Sequence, residues 1–406
     1  MSITLSHQNR ILKGEIHLTS SKSESNRALI VRALCEDEFT IENLSNSDDT
    51  VVLQRLLNSS EKELSVNLAG TAMRFLTAYL AIQDKEVVLT GAQRMKERPI
   101  KVLVETLKQL GADISYEEKE GYPPLKISGK KLLGGKVKID GGISSQYISA
   151  LLMIAPKLDK GLVMEFEGEI ISRPYINMTI EMMRYFGANV QWKGNSFIVK
   201  CGSYKAKDFK VEADWSAASY WYSIVALAKE ADIVLYGLKQ ESLQGDAVVQ
   251  EFYKALGVDT EFIVGGVRLT KNAEFIAQDF EFDFINCPDI AQTVAVTCAA
   301  LNVKAKLTGL KTLRIKETDR ITALQTELTK FGFSVEVSND DIIINSINSA
   351  PSEFSQPLKT YDDHRVAMAF APLSLLGGIT IEDENVVTKS YPNFWKDLEC
   401  VGFKAS

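Results

Sequence analysis

Histidine and cysteine are scarce in this sequence. Three histidines and five cysteines are spread over 406 residues, and Cys35, Cys201, Cys287, Cys298 and Cys400 show no CxxC spacing. An odd, scattered set excludes a disulfide framework and a zinc-binding cluster, so no metal is expected. It reads as free thiols, mostly core, in a reducing cytoplasm. Positive charge is also in deficit: 46 Lys and Arg against 53 Asp and Glu give a net charge of −7 and a pI near 5.3. The overall field therefore attracts neither nucleic acid nor an anionic membrane, and any cationic site must be local. Long apolar runs are missing too. Ile148 to Ala155 is far too short to span a bilayer, and the start Met1 to His7 lacks the basic and apolar regions of a signal peptide.

The common nucleotide and hydrolase signatures are absent. Gly129 to Lys136 is one residue too long for a phosphate-binding GxxxxGK[ST] loop and has Val137 where Ser or Thr is needed. No GxGxxG follows a strand, and no GxSxG elbow occurs. What remains is an α/β chain of 45% apolar and 24% charged residues, long enough for two domains.

Its most informative stretch is Lys316-Glu317-Thr318-Asp319-Arg320. Ile321, Leu324, Leu328 and Phe331 follow helical spacing and Gly332 stops the run, so Arg320 lies in the first turn of a helix with Arg314 and Lys316 just ahead. Cations at a positive helix end cost stability unless an anion is meant to bind there. The style recurs. Lys22 to Arg27 precedes the run Ala28 to Cys35, Gly70 and the capping residue Thr71 open another helix, and Arg98 stands before Pro99 at a first helical position. Ser144-Ser145-Gln146, Asp363-His364-Arg365, Pro288-Asp289 and Asp214-Trp215-Ser216 mark further starts. Each alone is an ordinary cap or a locally paired charge. Together they point to a ligand with several anionic groups.

An internal repeat supports that convergence. A helix, a bulky apolar residue, Gly and a strand return at Gly111, Gly187, Gly257, Gly332 and Gly402, at spacings of 76, 70, 75 and 70 residues. Hairpins follow, with strands expected at 113–117 and 124–127, 190–193 and 196–200, and 334–337 and 342–344. A first copy should end its helix near residue 58, but Val66-Asn67-Leu68 follows almost at once, so that unit has lost its hairpin. Six units imply three per domain.

Ser21 to Leu29, Ala69 to Arg74, Arg94 to Ile100, Ser144 to Gln146, Lys316 to Arg320 and Asp363 to Arg365, in that order, closely resemble the 5-enolpyruvylshikimate-3-phosphate synthase family. The resemblance runs from about Leu12 to Phe403. It implies the two-domain enolpyruvyl-transferase fold, each domain being three βαβαββ units around a pseudo-threefold axis. Residues 1–19 with 214–406 would form one domain and 20–213 the closing domain, joined by a hinge near Thr19-Ser20 and Glu212 to Asp214. The implied reaction moves the enolpyruvyl group of phosphoenolpyruvate to the 5-hydroxyl of shikimate 3-phosphate, releasing phosphate, in a cytoplasmic enzyme, expected monomeric, with no organic cofactor.

By motif, the resemblance places Lys22, Ser23, Arg27, Ser144, Ser145, Gln146, Ser172, Tyr175, Asp289, Thr312 and Lys316 at shikimate 3-phosphate. It places Lys22, Gly70, Thr71, Arg98, Gln146, Arg320, Arg365 and Lys389 at phosphoenolpyruvate. Asp289 is the implied base and Glu317 the implied proton donor, with Lys22, His364 and Lys389 as further candidates for proton transfer.

The chain departs from the family pattern at Leu68 (usually Asn), Phe75 (usually Pro) and Thr312 (usually Asn). Altered affinity for phosphoenolpyruvate and for the inhibitor glyphosate is the expected consequence. Two other readings share the fold. UDP-N-acetylglucosamine enolpyruvyl transferase usually carries a reactive loop Cys, and here none occurs between Cys35 and Cys201. A catalytically impaired polyanion-binding paralogue would have no need of Asp289 and Glu317 together.

Overall fold

Five glycines mark the repeat. Gly111, Gly187, Gly257, Gly332 and Gly402 all take left-handed backbone, with φ between +82° and +102°, a region closed to most side chains. At four of them the next amide reaches back to close the helix: Ala112 to Leu107, Ala188 to Met183, Phe333 to Leu328 and Phe403 to Leu398, at 2.9–3.2 Å. The turn reverses the chain, so each helix is followed at once by a strand.

The computed structural model describes residues 1–349, 351 and 353–406. The chain forms two units, Met1–Ser20 with Glu212–Ser406, and Ser21–Val211. In the first, Ile11–His17 pairs in parallel with Glu230–Tyr236, which pairs antiparallel with Gly266–Lys271 and through it with Val258–Ile263. Phe280–Asp283, Ala305–Thr308, Ile342–Asn345 and Ser334–Val337 repeat the arrangement. The third copy is closed by the N-terminal strand Ser2–Ser6, held between Ile379–Glu382 and Lys404–Ala405, with Leu358 bridging in parallel to Ile381.

The second unit has two such sheets. Glu63–Ser65, Glu86–Thr90, Leu125–Ser128 and Asp113–Tyr116 make one; Gly135–Asp140, Leu162–Glu167, Ser196–Val199 and Val190–Lys193 make the other. Its remaining copy is a two-stranded parallel pair, Phe209–Lys210 on Ile41–Glu42. The helix Asp48–Leu57 runs out at Asn58, and the next strand already belongs to the neighbouring copy. The shortened unit is therefore a hairpin deletion.

Each copy contributes one inner and one outer helix. The inner helices of the first unit, Trp215–Leu227, Ala291–Ala300 and His364–Phe370, are apolar almost all round, and the latter two are buried at every residue. A helix of that kind has no solvent face and sits only in a core. The three pack on one another, which brings their N-termini together. Lys22–Leu34, Gly70–Ala81 and Ser145–Ile154 are the inner helices of the second unit and are likewise in mutual contact. Each large side chain buried there, such as Leu76, Leu151 or Val294, contributes about 1.5–3 kcal/mol.

Three local expectations are corrected. The first helix begins at Lys22, capped by Ser21, not near Ala28, so Arg27 lies in its second turn and is buried. Pro99 precedes the Lys101–Gln109 helix instead of opening it, because the Ile100 amide pairs with the Gly121 carbonyl and the Pro99 carbonyl accepts from Arg74 and Tyr147. Thr71 is not a cap: Ala69 holds that position without a side-chain bond. The cysteines are all free thiols, but against the expectation that most lie in the core only Cys287 and Cys298 are buried.

Candidate active site

In the first unit the converging helix starts carry a lattice of alternating charge. Arg320 opens the Arg320–Lys330 helix, capped by Asp319, and is 1% exposed. Its Nη1 lies 3.2 Å from Asp289 Oδ1 and its Nη2 2.9 Å from Glu317 Oε2, while Nε donates to Asp363 Oδ2 at 2.7 Å. Arg365 Nη2 lies 3.0 Å from Asp289 Oδ2, and its Nη1 donates to the Asp289 carbonyl at 3.1 Å. Lys316 Nζ approaches Asp289 Oδ1 at 3.5 Å, and Lys389 Nζ pairs with Glu317 Oε1 at 3.0 Å. His364, 1% exposed, places Nδ1 3.8 Å from Asp363 Oδ1.

Asp289 gets there by local chemistry. Pro288–Ile290 is a single tight turn leading into the Ala291–Ala300 helix, and proline suits such a start because it needs no amide partner. Burial works against the Asp289 charge, but Arg365, Lys316 and Arg320 outweigh it and hold the carboxyl far below the usual range. Lys316 is pulled below the ordinary lysine value, first by burial, although Asp289 opposes the shift. Arg320 remains charged: its burial is overcome by Asp363, Glu317 and Asp289.

The second unit holds a different arrangement. Lys22 Nζ pairs with Asp49 Oδ2 at 3.2 Å. Arg27 spends its donors on neutral acceptors: Thr179 Oγ1 at 2.7 Å, the Ser23 carbonyl at 2.8 Å, the Tyr175 carbonyl at 3.1 Å and Ser149 Oγ at 3.3 Å. The Phe75 ring lies 5.6 Å from its Cζ. Burial lowers the Arg27 pKa to about 10, which still leaves it charged near neutrality. Gln146 Nε2 donates to Thr71 Oγ1 at 3.1 Å, and Ser144 caps its helix through the Gln146 amide. Gly70 lets the Arg98 guanidinium approach its backbone: Nη1 would lie 2.6 Å from an added Cβ. Ser145 and Ser172 are buried, and Ser172 precedes the Arg173–Tyr185 helix in left-handed conformation at φ 51°, without a side-chain capping bond.

Not every expected residue joins a cluster. Arg314 turns away to Asp319, at 2.8 Å, and to the Asn339 carbonyl, at 3.0 Å, and so braces a loop. Thr312 Oγ1 is buried with no hydrogen-bond partner among the described residues. Two participants were missed from sequence. Asp49 opens a helix, where acids are ordinary, and Asp246 follows a glycine in a loop, where aspartate is equally ordinary.

Six copies of one α/β unit, one of them without its hairpin, in two units that each gather polar helix starts, define the class of enzyme to which such a site belongs. The model of the family "EPSP synthase (3-phosphoshikimate 1-carboxyvinyltransferase)" matches residues 7–59 and 51–398. A 3-phosphoshikimate 1-carboxyvinyltransferase of Bacteroides fragilis is 47% identical over 394 residues, covering 97% of this chain and 96% of its own. The enzyme of that name from Vibrio campbellii is 36% identical over 437 residues, covering 98% and 99%. An EPSP synthase structure from Acinetobacter baumannii superposes with a TM-score of 0.79 at 21% identity over 100% of this chain and 99% of its own, which establishes the fold. The chain belongs to the EPSP synthase family.

Proposed function

We infer that this protein transfers the enolpyruvyl (1-carboxyvinyl) group of phosphoenolpyruvate to the 5-hydroxyl of shikimate 3-phosphate, giving 5-enolpyruvylshikimate 3-phosphate and phosphate. The observation that carries the reading is one buried guanidinium, Arg320, touching both Asp289 and Glu317. The chemistry needs two proton-transfer groups near neutralised anions. Asp289, held ionised, accepts the proton of the attacking 5-hydroxyl as the hydroxyl oxygen bonds to C2 of phosphoenolpyruvate, the carbon that bears the phosphate. Glu317, protonated when both substrates are bound, delivers its proton to the methylene carbon, making a methyl group, and takes one back as the carbon–oxygen bond to phosphate breaks; the proton held by Asp289 leaves with the phosphate. Lys389 and Arg320 hold the two Glu317 oxygens as a carboxylate; as these cations turn to the substrate anions, an oxygen is freed to carry the proton.

The cations of the first unit, Arg320, Arg365, Lys316 and Lys389, trade carboxylate partners for substrate carboxylate and phosphate; Arg does so bidentately. In the second unit Lys22, Ser23, Arg27, Ser144, Ser145, Gln146, Ser172 and Tyr175 serve shikimate 3-phosphate, and Gly70, Thr71 and Arg98 serve phosphoenolpyruvate. Among the described residues no helix is long and apolar enough to cross a membrane. The test is phosphate release from the two substrates, each omitted in turn, with the organic product identified. Release that needs both, with enolpyruvyl product, is expected; folded protein that binds shikimate 3-phosphate without turnover would overturn the reading.

A further inference from the structure

Outside the residues given roles above lies a second buried carboxylate. Asp246 sits in the tight turn Gly245–Val248 and is 3% exposed. The preceding residue but one fixes that turn: Gln244 Oε1 accepts from the Trp215 amide at 3.0 Å, and its Nε2 donates to the Ala213 carbonyl at 2.7 Å. Ser216 Oγ donates to Asp246 Oδ2. A hydroxyl that gives its proton to one side presents a lone pair to the other, and Arg365 Nη2 donates to Ser216 Oγ at 3.5 Å. The same Nη2 lies 3.0 Å from Asp289 Oδ2. Asp246 and Asp289 therefore share one guanidinium, one through a serine and one directly.

We propose that Asp246 is a positioning residue for this reaction: through Ser216 it sets the orientation of Arg365, and its charge competes with Asp289 and with the anionic substrate for that guanidinium. This rests on the proposed function above, since Arg365 is there assigned to phosphoenolpyruvate. The groups facing Asp246 come from several elements. Asp289 stands on the Pro288–Ile290 turn, Arg365 on the His364–Phe370 helix, Asp214 and Ser216 at the start of Trp215–Leu227, and the buried Cys287 thiol ahead of Asp289. Burial first, then the Asp289 charge, raises the Asp246 carboxyl to about 6, against the pull of Arg365 and the Ser216 hydrogen bond. Near neutral pH the residue is thus mostly charged, and it discharges under mild acid.

The directions follow from charge. Asp246→Asn keeps an acceptor for Ser216 but removes the negative charge. Arg365 then attracts the substrate anion more strongly, and Asp289 becomes a weaker base. At pH 7.5 the KM for phosphoenolpyruvate should fall about threefold to tenfold and kcat should fall about tenfold, the size of one shifted pKa unit. Asp246→Ala removes the tether as well, so KM should rise instead.

The substrates' own phosphates also titrate in mild acid, so the informative curve is the ratio of wild type to variant across pH 5–8. That ratio should change through about pH 6 for Asp246→Asn. Ser216→Ala removes a hydrogen bond that lowers the Asp246 pKa, and should move the inflection to higher pH. Identical KM, kcat and pH ratio for the Asn variant would overturn the proposal. A second readout does not need turnover. The wild-type unfolding midpoint, relative to Asp246→Asn, should fall as pH rises from about 4 to about 6 and level off above, because in that window the folded protein holds a proton that the unfolded chain has lost. A flat difference would refute the proposal even if the wild type released no phosphate, a result that would itself sink only the proposed function.

Discussion

Arg320 and Asp363 form an ion pair that neither partner shares with solvent, their side chains being 2% and 0% exposed. Two hydrogen bonds join them, Nε to Oδ2 at 2.7 Å and Nη2 to Oδ1 at 3.3 Å. Asp363 also caps the His364–Phe370 helix by accepting from the Arg365 amide at 2.9 Å. Removing one partner of a buried pair leaves a desolvated charge, which costs about 3–5 kcal/mol. Asp363→Ala should therefore lower unfolding free energy by about that amount, and Asp363→Asn, which keeps an acceptor for the cap, by less. Urea unfolding of the three proteins checks this; an Ala variant within about 0.5 kcal/mol of wild type, the scatter of ordinary surface changes, would refute it.

Much of this architecture could be read from the chain. The five glycines are legible because left-handed backbone restricts residue choice so strongly, and their spacing gave the repeat and the missing hairpin. The start at Arg320 stood out as a cation that the helix dipole disfavours, whereas Asp289 and Asp363, ordinary acids at helix starts, drew attention only as part of the recurring pattern and the family resemblance. What could not be read is which opposite charges meet. Asp49 comes from 27 residues beyond Lys22 and Asp246 from 43 before Asp289, and both look like routine turn or cap residues until the inner helices bring them in. Arg314 was misleading for the converse reason: a cation beside a helix start, it serves its own loop.

Gly70 offers a cleaner test of geometry. An alanine there would place its methyl carbon 2.6 Å from Arg98 Nη1 and 3.1 Å from Cζ. The obstructing atoms are the far end of a flexible side chain, so the guanidinium swings away and the fold tolerates the change. Gly70→Ala should keep its unfolding midpoint within a degree or two while the KM for phosphoenolpyruvate rises about tenfold or more, the loss of one charge-assisted contact. Steady-state kinetics with thermal unfolding decides it. A large loss of stability, or an unchanged KM, would count against the Arg98 assignment.

Asp289 makes acid stability predictable in sign. Its folded pKa is depressed below the ordinary 3.8, so the unfolded chain binds more protons in acid. The stabilisation is complete above about pH 5 and is lost as pH falls further. Asp289→Asn should be less stable than wild type near neutrality, with a gap that narrows as pH drops below about 5. Urea midpoints at pH 7, 5, 4 and 3.5 measure the gap. One that stays constant across the series would show that the Asp289 charge is not what the fold draws on.

Glu317 is the residue on which the proposed chemistry depends most. Its two oxygens are separately engaged, Oε2 by Arg320 at 2.9 Å and Oε1 by Lys389 at 3.0 Å. Glu317→Gln keeps the shape and one acceptor but can neither give nor regain a carboxyl proton. General acid and base catalysis contributes about 10²–10⁴-fold, so kcat should fall by that order. KM should change far less, because the binding cations remain, and their attraction for substrate anions is strengthened by losing a competing carboxylate. Lys389→Met separates orientation from proton transfer: it frees one Glu317 oxygen while leaving the acid in place, and should lower kcat by less than the Gln variant does. Near-normal turnover by Glu317→Gln would remove Glu317 from the proton path and leave Asp289 to account for both transfers. A Lys389→Met enzyme slower than the Gln variant would instead make the lysine the more direct participant.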